Sequence, residues 1–310
     1  MLTRRCIRAR VLESLYAYEK SGDTDYFQAE RQMFCAVEST RDLYFLLLTF
    51  LSELQRVALN RIALRGKKQL PCDADLNPNM KFVSNHFFKS LSKSKEIGEF
   101  ERKNQQWCWH MHPEITSRIL KGICESLVYE THMAEPAQCV AQDLRFICDI
   151  FVEFIAADRS LQELFEDISP YWYANQAIAN SMVVKTIESS RQKLCLSSVF
   201  RNEADRQFMK ALFRETIRGK GEYRTHLVKN FKNWDPDRIA AVDFLIMEMA
   251  VSEFLRFPTI PEKVTLNEYI EVANEYATPK SKVFINGVLD KVLKQLNDSK
   301  KIKKTGRGLI

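Results

Sequence analysis

Turn-forming residues are scarce. Nine glycines and nine prolines in 310 residues are too few to punctuate a many-stranded sheet, while Leu, Lys, Glu, Gln and Ala recur between them. An all-α protein is expected. The eight cysteines never occur as C-x-x-C, and neither disulfide-scaffold density nor a signal peptide is evident, so reduced thiols and a cytoplasmic location are expected. The longest apolar run, Leu43 to Leu51, is nine residues with Thr49 inside it, against roughly 20 needed to cross a bilayer. It reads as a buried helix, and no membrane partner is expected.

Chemistry-bearing motifs are lacking as well. No G-x-G-x-x-G or Walker loop occurs, and Gly219-Lys220-Gly221 has no glycines at the required upstream spacing; it reads as a bend or a join between two helices. Cys108, His110 and His112 alternate in W-C-W-H-M-H, which lacks a fourth ligand and fits no standard zinc spacing. A turn packed by Trp107 and Trp109 is the simpler reading. Glu163 and Glu166 have ordinary i, i+3 surface spacing. No catalysis, cofactor or metal is expected.

What is present is a C-terminal region dense in helix signals. Asp235 with Pro236, and Thr278 with Pro279, have the cap-then-proline pattern, and Thr265 with Glu268 has capping-box spacing. Ile239, Val242, Ile246, Met249 and Ala250 share one face; Leu266, Ile270, Ala273 and Tyr276 share another; Phe284, Val288 and Val292 lie along a third. Three helices follow in succession, and the periodicity runs straight through Asn286-Gly287, which would otherwise signal a hairpin. A glycine inside a helix suggests close approach of another backbone or a ligand. At the other end, Thr3 can cap a helix whose first two turns carry Arg4, Arg5, Arg8 and Arg10. Cations are disfavoured there by the helix dipole, so a phosphate backbone is one partner that would offset them. A solvated charged start, or arginines paired with acids elsewhere in the fold, is the plainer alternative. From Lys291 onward seven basic residues stand against Asp298, an excess equal to the net charge of +6 for the whole chain.

The segments I-P-E-K-V-T-L-N-E-Y-I-E-V-A and F-I-N-G-V-L-D-K, with R-R-C-I-R-A-R-V-L-E-S-L-Y at the start, resemble the NusB family of transcription antitermination factors. The likeness covers about residues 2–20 and 203–296. It implies a NusB-like helical bundle core with a large helical insertion after the first helix: 1–21 as the arginine-rich helix, 22–200 as an insertion of unknown role, 201–296 as the rest of the core and 297–310 as a basic flexible tail. It further implies pairing with NusE, a small-subunit ribosomal protein, and retention of boxA-like single-stranded RNA beside the transcription elongation complex. Arg4, Arg5 and Arg8 are then candidate RNA contacts, with Lys280 and Lys282 for phosphate, Phe284 for stacking and Asn286 for a base edge. Tyr16, Asp243 and Glu253 are candidate partner contacts. The family's arginine and tyrosine near the second acid are Glu248 and Ser252 here, which suggests a remodelled partner interface.

Within the insertion, helices are expected at about 27–38, 41–66, 80–92, 113–131, 137–157, 160–168 and 171–194, with a polar linker at 67–79 and a turn at 89–95. Its two ends should lie close together, because both join one small core. A different class of function is a helical protein-protein scaffold in which RNA binding is secondary. Another is a NusB-like domain of a ribosomal RNA cytosine methyltransferase, which requires a glycine-rich nucleotide fold after the last helix.

Overall fold

A computed structural model describes residues 1–22, 24–135, 139–231 and 238–309. They form fourteen α-helices, with no strand among the described residues: α1 Arg4–Ser21, α2 Tyr26–Arg65, α3 Asp73–Leu76, α4 His86–Ser92, α5 Lys95–Lys103, α6 Pro113–Cys124, α7 Leu127–Ala134, α8 Val140–Ile150, α9 Arg159–Ile168, α10 Pro170–Ser189, α11 Glu203–Val228, α12 Ala241–Arg256, α13 Glu262–Tyr276 and α14 Pro279–Asp298. No described helix is long and apolar enough to cross a membrane. The chain packs as two compact units, one made of Leu2–Cys35 with Phe200–Ile310 and the other of Ala36–Val199 with Met1.

The first unit is built around α12. Every residue from Leu245 to Phe254 is buried, because α1, α11, α13 and α14 all pack against this helix; a helix apolar on most of its faces is stable only when enclosed. Helix α1 starts where Thr3 Oγ1 accepts the Cys6 amide at 3.2 Å and stops at Gly22, whose φ of 66° is left-handed. Its buried face is Ile7, Val11, Leu12 and Leu15. Thr278 caps α14 through the Ser281 amide, with Pro279 in the first turn, as its sequence predicts. The Asp235–Pro236 signal lies outside the described residues. Thr265 is not a cap: α13 has already begun at Glu262, and the Thr265 hydroxyl turns inward to Glu253. Where the chain leaves this unit and returns to it, the rings of Phe34 and Phe200 lie 6.4 Å apart.

The second unit is assembled on the later part of α2. This 40-residue helix is continuous where two helices were expected, because Ser39 satisfies its hydroxyl on the Ala36 carbonyl and leaves the helix unbroken. The expected 113–131 helix is instead cut in two where Ser126 accepts the Tyr129 amide and restarts the chain as α7. The lysine-serine turn at 89–95 contains Ser94, which caps an unexpected helix, α5. Helix α8 continues as a wider π-helical segment over Phe151–Ala156. Aromatic side chains dominate the core here. Phe82 meets Phe88, Tyr129 and Phe146 at ring-centroid distances of 5.4 to 6.0 Å, geometries favourable for edge contacts.

The glycine pair at 219 and 221 does not bend the chain; both residues lie inside α11. Gly219 is there because the fully buried Tyr223 ring folds back over it, so that a Cβ would sit 2.1 Å from the ring. A Cβ at Gly221 meets nothing within 4 Å. Opposite signs are therefore expected from one substitution two residues apart. Gly221→Ala should raise stability by up to about 1 kcal/mol through helix propensity. Gly219→Ala should lower it by about 1–2 kcal/mol, overpacking outweighing that gain; urea denaturation of the two variants checks this.

Candidate nucleic-acid interface

The start of α1 is where the arginines collect, and each has an acidic partner. Arg4 Nε lies 3.1 Å from Asp205 Oδ1, with its guanidinium 4.9 Å from the centre of the Phe208 ring. Arg5 reaches Glu268 at 2.9 Å and Glu271 at 3.7 Å. Arg10 pairs with Glu13 at 2.7 Å. Arg4 and Arg5 remain about half exposed, so both can still reach a ligand.

Arg8 corrects the expectation of a solvent-facing RNA contact. Its side chain is 2% exposed and forks onto Glu253, which is 0% exposed, with Nε donating to Oε2 at 2.8 Å and Nη2 to Oε1 at 2.7 Å. Thr265 Oγ1 and Tyr269 OH donate to the same carboxylate at 2.8 and 3.3 Å, and Arg8 Nη1 reaches Glu268 at 3.3 Å. Burial by itself would lower the guanidinium pKa; the hydrogen bonds and charge of Glu253 more than offset that, so the net displacement is upward. Burial and the Glu253 charge push the Tyr269 hydroxyl well above its ordinary value. Arg8 is therefore a structural cation, its guanidinium committed to Glu253 and Glu268. Three guanidiniums at this helix start face four carboxylates, those of Asp205, Glu253, Glu268 and Glu271. The sequence alternative of intramolecular pairing describes this end of the helix.

The lysine group occupies the first turns of α14. Helices α1 and α13 run side by side, linked by Arg5 to Glu268 near one end and by Tyr276 to Glu13 at 2.6 Å near the other. Residues 268 and 276 are separated by roughly 12 Å of helix. Lys280 and Asn286 are exposed, and no hydrogen bond or ion pair reaches Lys280 among the described residues. Lys282 donates to Asn274 at 3.0 Å. Phe284 is half-buried, its ring 5.6 Å from Phe231. A Cβ at Gly287 meets nothing within 4 Å, so close packing does not account for that glycine. The structure thus brings the arginines together at one end of the α1–α13 pair and the lysines beyond the other.

Two partner-contact expectations are also corrected. Asp243 is 6% exposed and Glu253 fully buried, whereas Tyr16 is 38% exposed with Lys20 Nζ 5.6 Å from its ring. Glu248 and Ser252 are buried too, so these departures from the family alter the interior and not the surface. Arg224 donates to Glu248 at 2.6 Å, and burial raises the pKa of that carboxyl.

The basic tail is docked where a flexible segment was expected. Lys304 Nζ donates to the carbonyls of Phe257 at 3.0 Å and Glu253 at 3.4 Å, placing a cation on the carbonyl end of α12. Thr305 N donates to the Pro258 carbonyl at 2.9 Å, and Gly308 packs so closely on that oxygen that a Cβ would lie 2.0 Å from it. The docked tail borders the loop Thr259–Pro261, which with Val264, Arg4 and Arg5 lines a groove of about 740 Å³. Sequence reasoning missed the acids that hold the arginines; Glu268 and Glu271, three apart on one helix, were the available signal.

The sequence model of the NusB family matches residues 173–294. A transcription antitermination protein NusB from Salinibacter ruber is 39% identical over 142 residues, which is 43% of this chain and 89% of that protein. The chain belongs to the NusB family. NusB proteins of Chloroherpeton thalassium (34% over 105 residues, 34% of this chain and 50% of that protein) and Natranaerobius thermophilus (35% over 94 residues, 30% and 68%) are also similar. The NusB family match takes in α11 to α13 and most of α10 and α14, and leaves α1 outside.

Stability separates the two kinds of arginine in this NusB chain. Arg8→Ala strands a buried carboxylate and should cost about 3–5 kcal/mol; Arg5→Ala removes a half-exposed pair and should cost less than about 1 kcal/mol. Urea denaturation of the two variants measures the difference.

Proposed function

We propose that this chain is a non-catalytic RNA-binding adaptor of transcription antitermination, which pairs with NusE and holds boxA-type single-stranded leader RNA during ribosomal RNA transcription. The observation that carries the reading is the 39% identity across 89% of a protein named for antitermination. The mechanism is tethering: the transcript stays attached to the elongation complex, which suppresses premature termination. RNA follows the α1–α13 strip, with Lys280 and Lys282 on phosphates, Phe284 stacking and Asn286 at a base edge. At the far end Arg4 and Arg5 exchange carboxylate for phosphate beside the helix start, where a bidentate contact suits guanidinium. Arg8 lies outside the contact set. Tyr16 is the retained candidate for the NusE surface, since Asp243 and Glu253 are enclosed. Residues 36–172, which lie outside both the NusB-like unit and the family match, are an addition to the NusB core.

The test is a salt titration of boxA-like RNA binding with and without NusE. Lys280→Ala with Lys282→Ala should flatten the slope of log affinity against log salt by about 1.4, near 0.7 per lost phosphate contact on a single strand. Arg4→Ala with Arg5→Ala should weaken binding but change the slope less, because Asp205, Glu268 and Glu271 already serve as counter-charges. Unchanged affinity in both double variants would remove RNA from this strip. Tyr16→Ala should reduce NusE retention without changing RNA affinity measured in the absence of NusE.

A further inference from the structure

We infer that a cleft in the unit Ala36–Val199, between α2 and α5, is a binding site for the guanidinium of an arginine side chain presented by a partner protein. The cleft encloses about 420 Å³, within the roughly 300–1,000 Å³ of ligand sites. Its wall comes from Glu53 and Arg56 on α2, Phe100 and Glu101 on α5, and Trp107 and Trp109 on the turns that follow. Nothing in the RNA-binding reading uses these residues.

The aromatic faces are fixed before any ligand arrives. Trp109 donates its indole N–H to the Leu46 carbonyl at 3.0 Å and to Thr49 Oγ1 at 3.1 Å. Trp107 is braced by Trp172, with ring centroids 5.0 Å apart, and stands 6.2 Å from Phe100 at an interplanar angle of 37°. Trp109 is buried behind the cleft, while Trp107 and Phe100 are half-buried; partly exposed flat rings attract a cation over their faces.

The charged groups say which cation. Arg56 already forks onto both oxygens of Glu53, with Nε at 2.6 Å from Oε2, so one carboxylate of the cleft holds a guanidinium. No hydrogen bond or ion pair reaches Glu101 among the described residues. Although Glu101 is exposed at the mouth, the protein surrounding its carboxyl partly desolvates it and raises its pKa, and the neighbouring Glu53 charge raises it further; a second cation relieves both effects. A metal ion is a poor match, since no group of three or more His, Cys, Asp or Glu side chains converges among the described residues. A planar guanidinium suits the place better than an ammonium because it stacks on rings and forks onto carboxylate together. The volume exceeds that of the head group and leaves room for the aliphatic stem of an arginine along Phe100 and Trp107, while exposed Glu101 and Arg56 mark the mouth.

The experiment is a tryptophan-fluorescence titration of the full chain with N-acetyl-Gly-Arg-Gly-amide, with its citrulline counterpart as neutral isostere, and with putrescine as a free amine. Saturable binding of the arginine peptide is expected, about ten-fold tighter than the citrulline peptide or putrescine. Glu101→Gln should weaken the arginine peptide about five-fold and leave the citrulline peptide unchanged. Trp107→Leu should weaken it about ten-fold; if circular dichroism shows that variant unfolded, Glu101→Gln decides alone. Absence of saturable binding, equal binding of the arginine and citrulline peptides, or unchanged affinity in Glu101→Gln would overturn the site. Putrescine binding as tightly as the arginine peptide would overturn its assignment to a protein arginine.

Discussion

A carboxylate with no access to solvent sits in the middle of the NusB-like unit, and the packing of four elements follows from what it requires. A buried ionised group is tolerated only when it is paired and its lone pairs are filled. Glu253 receives two bonds from Arg8, one from Thr265 and one from Tyr269. These donors come from α1 and α13, so a residue at the front of the chain and two near its end are fixed to α12 together. The backbone carbonyl of the same glutamate takes part in docking the tail through Lys304. Burial also lowers the Lys304 pKa, the expected consequence of withdrawing an ammonium onto neutral carbonyl acceptors.

That constraint divides the surface chemistry. Because Arg8 is consumed internally and Arg4 and Arg5 are matched by Asp205, Glu268 and Glu271, the cluster of arginines at the start of the chain does not amount to a positive patch. Uncommitted positive charge is found on α14, where Lys280 is exposed. An RNA strand drawn to the lysines reaches the arginines by competing with carboxylates, so contacts at the two ends of the strip differ in kind. The lysine end contributes mainly counterion release; the arginine end contributes geometry, through bidentate bonds beside a helix start.

Much of the local structure was legible. Thr3, Thr278 and Pro279 act as their types predict, and the periodicity of 284–292 correctly overrode Asn286-Gly287. What failed was whatever depended on distant partners. Nothing in R-R-C-I-R-A-R distinguishes an arginine aimed at phosphate from one aimed at a glutamate 245 positions away. Thr265 has cap spacing, yet its hydroxyl is needed by Glu253. The glycines at 219 and 221 look like a hinge until Tyr223 is seen folded over the first of them. In the other unit, Ser126 and Ser94 restart helices while Ser39 does not. A serine caps or is absorbed according to whether the next turn can stay packed, which short-range pattern does not reveal.

Arg8 and Glu253 act as one buried unit. A double-mutant cycle tests it most directly, using Arg8→Met and Glu253→Gln, the latter keeping an acceptor for Thr265 and Tyr269. Stability of the two single variants and the double variant is read by urea denaturation. A coupling energy of about 3 kcal/mol is expected, the double variant being far less damaged than the sum of the singles, because neither partner is left buried and unpaired. Additive losses would contradict it.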